Sequence, residues 1–518
     1  MDFRSAPGRR VEWLDARIQS GFSNFLYIDR QFRSHPVLRR LFSLARKHDY
    51  QSILVEEIAE SECALFAEEN EAIAKRSPDF SGSKVQRLSF WRCPPGEPTS
   101  ADDFIGYAVF KSDTFGHSSR PEDHIFESVL PAVRAKKQNN FVHCARTYAV
   151  STEAGPQSVT GVLYAQQNDL TFVCAHVALR TALSAILPDG DVTYATLNRL
   201  AGIDHTTRRV GRKEGGLDPN DMEAIARGLG LACTKIVHEP LQGLHLPYEF
   251  QPDLYGMIES GSPALLGFEL HDPTAPPDQV PRHIVPVIGH TFNDDAWVPD
   301  AQRHYFGNGL RYFSSESWLS SYVLHDDNFG PYYCLPRHFL TKDNFRIILG
   351  MSHRGASYSA SDAETVGFNY LNAIAGLYQL DGQPWLDRFL IYTRQGLLIL
   401  RTLLLDRADY VRHLGSLRDW EAHSIEPTAI AKIEAALPDR LWVVEASAPE
   451  LFPSSRRKFG EVLLSAHLPL PKPLDFSLLL GARLPGSFLL TAGGSLETIP
   501  VSLTGHSPLF DSDSGEAN

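Results

Sequence analysis

The chain has 518 residues, of which 43% are hydrophobic, and this size predicts two or three domains with complete cores. Its 62 aspartates and glutamates outnumber its 49 lysines and arginines, which gives a net charge of -13, and no long basic run marks a nucleic-acid-binding surface. No apolar run approaches the length of a membrane span and the first residues lack the apolar core of a signal peptide, so we expect a cytoplasmic protein without a membrane span.

The 6 cysteines are spread along the chain without close Cys-x-x-Cys pairs. This spacing predicts neither a zinc ribbon nor a disulfide framework, and a free thiol fits a reducing compartment. We therefore expect no metal and no cofactor. The composition leaves the oligomeric state open.

Residues 1–155 mix helical stretches with strands, which predicts an α/β region of unknown role. Its clearest predicted strands are Ser52–Glu56, Phe104–Phe110 and Asn140–Val150. The second of these is similar to strands of acetyltransferases, but the glycine-rich, phosphate-binding turn expected after it is missing. The last strand runs almost directly into the next segment, so both segments are compatible with one structural unit.

A cysteine opens a predicted helix near the middle of the chain. From Val173 to Leu187 apolar and small residues recur at three- and four-residue steps, and Pro188-Asp-Gly190 ends the pattern. Cys174 then lies in the first turn, where unpaired backbone amides and the helix dipole favour a thiolate over a thiol. The sequence therefore predicts Cys174 as a nucleophile.

Two glutamines, Gln166 and Gln167, precede this cysteine. A side-chain amide at such a place can donate, together with the backbone amide of the cysteine, to the oxyanion formed during attack on a carbonyl. The pair predicts one donor of an oxyanion hole. The alternative is that both glutamines are ordinary loop residues.

Along the chain after Cys174, the predicted helices come first and the predicted strands come after them. The predicted helices span Thr193–Gly202, Asp218–Gly230 and Asp253–Ser260, and a buried strand spans Pro263–Leu270. His283 then enters a clean apolar strand, which distinguishes it among the 20 histidines. A histidine can take the proton of a cysteine, so we predict His283 as the base. His176 lies two residues from Cys174 on the same helix, points elsewhere and is expected to be structural.

The glutamine pair, the Cys174-Ala-His helix start and the His283-Ile-Val-Pro-Val-Ile-Gly strand resemble the papain-like cysteine peptidases, and among these the bacterial double-glycine leader peptidases. The resemblance covers roughly residues 160 to 340. It implies an α+β fold with a helical lobe and an antiparallel, strand-rich lobe. It also favours Gln167 over Gln166 as the oxyanion donor. Ala175 departs from the family, since many members carry glycine or tryptophan after the cysteine.

The third catalytic group has several candidates. Asp300 follows His283 after a polar stretch, whereas Asp326 and Asp327 lie in a polar cluster between a strand and a turn. In the leader peptidases the partner is an aspartate at a strand end, which favours Asp326 and then Asp327, if the segment from Asp300 to Trp318 is an insertion. A competing interpretation is a metal bound by His325 and these carboxylates.

The sequence thus predicts four segments: a region of unknown role at 1–155, a papain-like core at 156–340, a mixed, strand-rich region at 341–510, and a disordered acidic tail at 511–518. For the flanking regions we expect substrate selection or partner binding.

The resemblance and the candidate residues together predict a cysteine peptidase or isopeptidase that cleaves a peptide or small-protein substrate. The alternatives are an amidase or transglutaminase-like acyl transfer at the same site, and a non-catalytic papain-like scaffold that binds partners.

Overall fold

The computed structural model describes residues 10–17, 24–59, 63–132, 140–168, 173–188, 190–202, 217–238, 250–269, 282–292, 303–306, 310–341, 343–353, 355–377, 384–418, 421–492, 495–501 and 505–511. Packing divides the chain into two compact units. Unit 1 comprises Met1–Pro240, Pro263–Gly289 and Tyr322–Met351, and unit 2 comprises Leu241–Ser262, His290–Ser321 and Ser352–Asn518. This division does not follow the predicted borders at residues 155 and 340. The borders of independently folding domains stay a prediction.

The described residues form a mixed α+β fold in which helices cover largely antiparallel sheets. This confirms the predicted class at the level of α+β. Of the predicted acidic tail, Asp511 alone lies within the described residues.

The first sheet of unit 1 is an antiparallel meander of five strands, joined in sequence order. Its strands are β1 (Val11–Asp15), β2 (Ser52–Ile58), β3 (Phe80–Trp91), β4 (Phe104–Phe115) and β5 (Glu122–Val129). The helices beside it are α1 (Asn24–Gln31), α2 (Pro36–Lys47) and α3 (Ala64–Arg76). Nearly every residue of β4 is buried, so this interior strand, which lies between β3 and β5, is covered on both faces. Helix α2 buries Leu38, Leu41 and Phe42, at three- and four-residue steps, in one of these cores.

The predicted strand Asn140–Val150 is wrong as a single element. The structure divides it into β6 (Asn140–Phe141) and β7 (Arg146–Thr152), with four residues outside any strand between them. Strand β7 forms an antiparallel hairpin with β8 (Gly155–Gly161), while β6 joins another sheet. The break lets the chain contribute to two sheets, which an apolar run alone does not reveal.

The second sheet of unit 1 carries the candidate base. In spatial order its strands are β15 (Gly330–Pro336), β14 (Leu319–Asp326), β11 (Arg282–Phe292), β10 (Ala264–Glu269), β16 (Phe345–Ser352) and β9 (Ala232–Val237), and β6 pairs with β11. Strands β10 and β11 are antiparallel, with His283 opposite Phe268. The neighbouring strands β11 and β14 carry His283 near the start of one and Asp326 at the end of the other.

Three helices pack against this second sheet: α4 (Cys174–Ile186), α5 (Tyr194–Leu200) and α6 (Pro219–Gly228). Helix α4 is almost wholly buried, and its small and apolar residues share a core with Leu265 of β10 and Leu349 of β16. The helix that begins at Cys174 is therefore fixed by close packing on the strands beneath it.

Unit 2 is built on one long sheet. Its strands, in spatial order, are β12 (Arg303–Phe306), β13 (Leu310–Ser314), β17 (Ile399–Asp406), β18 (Arg440–Ser447), β20 (Gly460–Ser465), β21 (Leu479–Leu484), β22 (Ser487–Ala492) and β23 (Ser495–Pro500). Strands β19 (Arg457–Lys458) and β24 (Ser507–Pro508) form a separate pair. The helices are α7 (Gln251–Glu259), α8 (Ala360–Leu377), α9 (Pro384–Gln395), α10 (Arg407–Ser416), α11 (Pro427–Ala436) and α12 (Phe452–Ser455). Apolar cores lie on both faces of the sheet, so unit 2 has a complete core of its own.

Candidate active site

Cys174 is the first residue of α4, at the position that the sequence predicts. The backbone amides of His176 and Val177 already bond to the carbonyl of Val173, so the helical ladder starts at once. The first N–H groups of any helix have no intrahelical acceptor, and here they surround the cysteine. The thiol is half-buried. Its surroundings are those that favour a nucleophilic sulfur.

His176 holds the start of this helix in place. Its Nδ1 accepts a hydrogen bond from the Val173 backbone amide at 3.5 Å, and its Nε2 lies 3.1 Å from Asn198 Oδ1 on α5. The ring therefore carries its proton on Nε2 and bridges two helices. These contacts fit the structural role expected for His176.

His283 contacts both the candidate nucleophile and the candidate carboxylates. Its Nε2 lies 3.2 Å from Asp326 Oδ2 and 3.4 Å from Asp327 Oδ1, and the Cys174 side chain lies near enough to raise the pKa of the imidazole. The ring of Phe268 packs edge-on against the imidazole, with 5.7 Å between ring centroids. The structure thus brings together Cys174, His283, Asp326 and Asp327.

The electrostatics keep this imidazole protonated. Burial lowers the pKa of His283, but the hydrogen bonds with Asp326 and Cys174 and the charges of both aspartates outweigh burial and raise the pKa to about 10. An imidazole that remains charged at neutral pH is a counter-ion for a thiolate. The arrangement therefore places a charged imidazolium near the Cys174 side chain.

Asp326 is held from both sides. Its Oδ1 accepts the backbone amides of Asn328 at 2.8 Å and Phe329 at 3.0 Å, while Oδ2 faces His283. Burial raises the pKa of Asp326, but the hydrogen bond and charge of His283, together with these two amides, hold the pKa below its usual value. This carboxylate is ionised and rigid, as an orienting group must be.

The two glutamines have different surroundings. Gln166 is bonded to β5 through both its backbone and its side chain. Its backbone amide donates a hydrogen bond to the Ile125 carbonyl at 2.9 Å, and its Oε1 accepts a hydrogen bond from the Ile125 amide at 3.1 Å. The half-buried side chain of Gln167 makes no hydrogen bond with another residue in the described part of the chain. Gln167 is thus the glutamine whose side-chain amide has no hydrogen-bond partner among the described residues, and the preference for it over Gln166 stays a prediction.

The remaining sequence candidates divide as follows. Asp300 lies outside the described residues. His325 is buried and its Nδ1 bonds to the Leu163 carbonyl at 3.0 Å, and burial lowers its pKa to about 3, so this ring is neutral. The histidine that meets the carboxylates is His283 instead. His283, Asp326 and Asp327 offer ligand atoms that lie within 4.8 Å of one another, a set with the chemistry to bind a divalent metal.

Sequence reasoning missed the supporting contacts around these residues. Phe268 packs against His283, Ile125 bonds to Gln166 next to Gln167, and Asn198 bonds to His176 in the first turn of α4, and each of these partners belongs to a different element. No local pattern marks them. The register of β10 against β11 is the information that would have identified Phe268.

Comparison of the chain with protein-family models and with curated proteins finds no match. Among the described helices, none has the length and apolar character needed to cross a membrane.

Proposed function

We propose that the protein is a cysteine peptidase or isopeptidase with Cys174 as nucleophile, His283 as base and Asp326 as the orienting carboxylate. The observation that carries this proposal is that one imidazole connects the two other groups: its Nε2 lies 3.2 Å from buried Asp326 Oδ2, and the Cys174 side chain at a helix start helps to raise its pKa. This is the linkage of nucleophile, base and orienter that acyl-transfer enzymes need.

We further propose that residues of unit 1 form a papain-like core. In support, a helix starts with the cysteine, further helices follow along the chain, and an antiparallel sheet carries the histidine and the aspartate on neighbouring strands. The order Cys, His, Asp agrees with that of the family. A free half-buried thiol also agrees with a reducing, cytoplasmic location.

The reaction we propose has two halves. The Cys174 thiolate attacks the substrate carbonyl carbon, and the resulting oxyanion accepts hydrogen bonds from the Cys174 backbone amide and the Gln167 side chain. The tetrahedral intermediate collapses, the carbon–nitrogen bond breaks, and His283 gives its proton to the leaving amine. A water molecule then attacks the thioester and His283 takes a proton of that water. The carbon–sulfur bond breaks, the acid product leaves, and the Cys174 thiolate beside protonated His283 is restored.

Alkylation of the six cysteines by iodoacetamide tests this proposal directly. Cys174 is expected to react much faster than the others at neutral pH, and Cys174→Ala to remove this fast phase and all peptide cleavage without unfolding the protein. Cys233→Ala is the matched control, because Cys233 is also half-buried but lies on β9, where burial raises its pKa. A fast phase that survives in Cys174→Ala would contradict the proposal.

Product analysis then separates hydrolysis from acyl transfer. Mass spectrometry of peptides incubated with the enzyme and an added amine is expected to show new carboxyl termini. Amine adducts alone would favour the transferase alternative, and a fast-labelling thiol without turnover would favour a binding scaffold.

A further inference from the structure

The residue that follows Gln167 is tied to a distant helix. Asn168 is buried, and its Nδ2 donates a hydrogen bond of 2.7 Å to Oε1 of Glu69, a residue 99 positions earlier on α3. A side-chain amide on a loop is usually solvated, so a buried one with a specific acceptor needs an explanation. Asn168 directly follows Gln167, the proposed oxyanion donor, so its hydrogen bond to Glu69 can affect where the Gln167 side chain lies.

Glu69 is a charged acceptor. Lys111 Nζ lies 3.3 Å from its Oε2 and His124 Nε2 lies 3.4 Å from its Oε1. Burial raises the pKa of Glu69, but Lys111, His124 and the Asn168 amide more than offset burial and lower the pKa to about 2. Hydrogen bonds to an ionised group are about twice as strong as neutral ones. Asn168 is therefore held firmly.

The residue on the other side of Gln167 is held as well. Gln166 exchanges two hydrogen bonds with Ile125 of β5, one through its backbone and one through its side chain. The chain is thus anchored immediately before and immediately after Gln167. A short segment fixed at both ends allows its middle residue little movement, which is what a preorganised oxyanion donor requires.

A buried cluster of charges is a poor way to gain stability, because removing charges from water costs about as much as their attraction returns. We propose that Asn168, held by ionised Glu69, is a positioning residue that fixes the Gln167 amide where it meets the oxyanion. The group of Glu69, Lys111 and His124 then serves catalysis from within the N-terminal region. This inference rests on the function proposed above.

Two reactions of the Cys174 thiol distinguish a loss of Gln167 positioning from a general disturbance of the site. Iodoacetamide alkylates Cys174 by displacing iodide at a saturated carbon, so no oxyanion forms. p-Nitrophenyl acetate acylates Cys174 through a tetrahedral oxyanion, with loss of p-nitrophenolate and formation of a thioester. Asn168→Ala in the full chain is expected to slow acylation about 10- to 100-fold, somewhat less than the roughly 10²–10³-fold loss when a donor itself is removed. Alkylation is expected to stay within about twofold of the wild-type rate, because it needs no oxyanion donor.

Asn70→Ala is the matched control. Asn70 neighbours Glu69 on α3, is equally buried, and bonds to Ser83 instead of the glutamine loop. It is expected to leave the ratio of acylation to alkylation unchanged. The double variant with Gln167→Ala and Asn168→Ala is expected to be no slower in acylation than Gln167→Ala alone.

The outcomes that overturn the inference are an unchanged ratio in Asn168→Ala, an equal fall of both rates, an equal change in Asn70→Ala, or losses that multiply in the double variant. If wild-type Cys174 is neither alkylated rapidly nor acylated, the proposed function fails and the inference falls with it. Normal wild-type rates with an unchanged ratio in Asn168→Ala remove the inference alone.

Discussion

Glu127 on β5 and Arg180 on α4 form a buried ion pair, with 2.9 Å between Oε2 and Nη2. Both side chains are about 2% exposed. Arg180 also bonds to Asp191 at 3.0 Å and to the Phe126 carbonyl at 3.3 Å. The helix that begins with Cys174 is thereby joined to the first sheet of unit 1 by charge as well as by packing.

Arg180→Met is expected to destabilise the protein strongly. It leaves the Glu127 carboxylate buried without its counter-charge, and breaking a buried pair typically costs about 3–5 kcal/mol. Urea denaturation measures the change in the free energy of unfolding. Arg227→Met is the control, because its pair with Glu223 is exposed and such surface pairs contribute about 0–1 kcal/mol. Equal changes in the free energy of unfolding for the two variants would contradict the conclusion that the Arg180–Glu127 pair stabilises the fold more than a surface pair does.

The pKa of His283 is expected to be visible in its titration. Since the folded pKa of about 10 lies above the ordinary value of 6.5, protonated His283 stabilises the fold fully below pH 6.5, and this contribution is lost as the pH rises through about 10. NMR of ¹³C-labelled histidine, with His283→Gln for assignment, measures the midpoint. Asp327→Asn is expected to lower it, because a negative charge near Nε2 is removed. A wild-type midpoint near 6.5 would show that the carboxylates do not act on this ring.

The two aspartates are expected to differ in their effect on peptide cleavage. Asp326→Ala removes both the orienting oxygen and the acceptor of two turn amides, and loss of an orienter costs about 10²- to 10⁴-fold in turnover. Asp327→Ala removes a charge contact and is expected to cost about tenfold, equivalent to one pKa unit of interaction. His283→Ala is expected to abolish turnover. If Asp300→Ala is inactive while both other variants are normal, the choice of the later aspartates is wrong.

Substrate specificity is expected to favour small residues before the cut. This expectation depends on the proposed papain-like core, since leader peptidases of that kind cleave after small residues, and the side chain of Ala175 beside the proposed nucleophile is itself small. A profile of cleaved peptides measures the preference, with glycine or alanine expected at that position. Enrichment of bulky side chains there would rule out a narrow cleft, and selectivity would then come from the flanking regions.

The elements of the site were predictable where the information is local. The start of α4 at Cys174 follows from periodicity and from the proline beyond its end, and the His283 strand follows from its apolar run. The convergence of Asp326 and Asp327 on one nitrogen was not predictable, because alternate residues of a strand face opposite sides and the turn after Asp326 changes that rule. The break between β6 and β7 was missed for the same reason, since pairing partners lie far away along the chain.

The contacts of β5 have a practical consequence for the isolation of the proposed papain-like core, residues 156–340. A fragment cut at the predicted border of residue 156 would lack Ile125 and Glu127, the partners of Gln166 and Arg180. It would remove the backbone groups of Ile125 to which Gln166 bonds and would leave Arg180 with Asp191 but without the buried carboxylate of Glu127. A fragment that keeps these two contacts has to include β5 of the N-terminal meander.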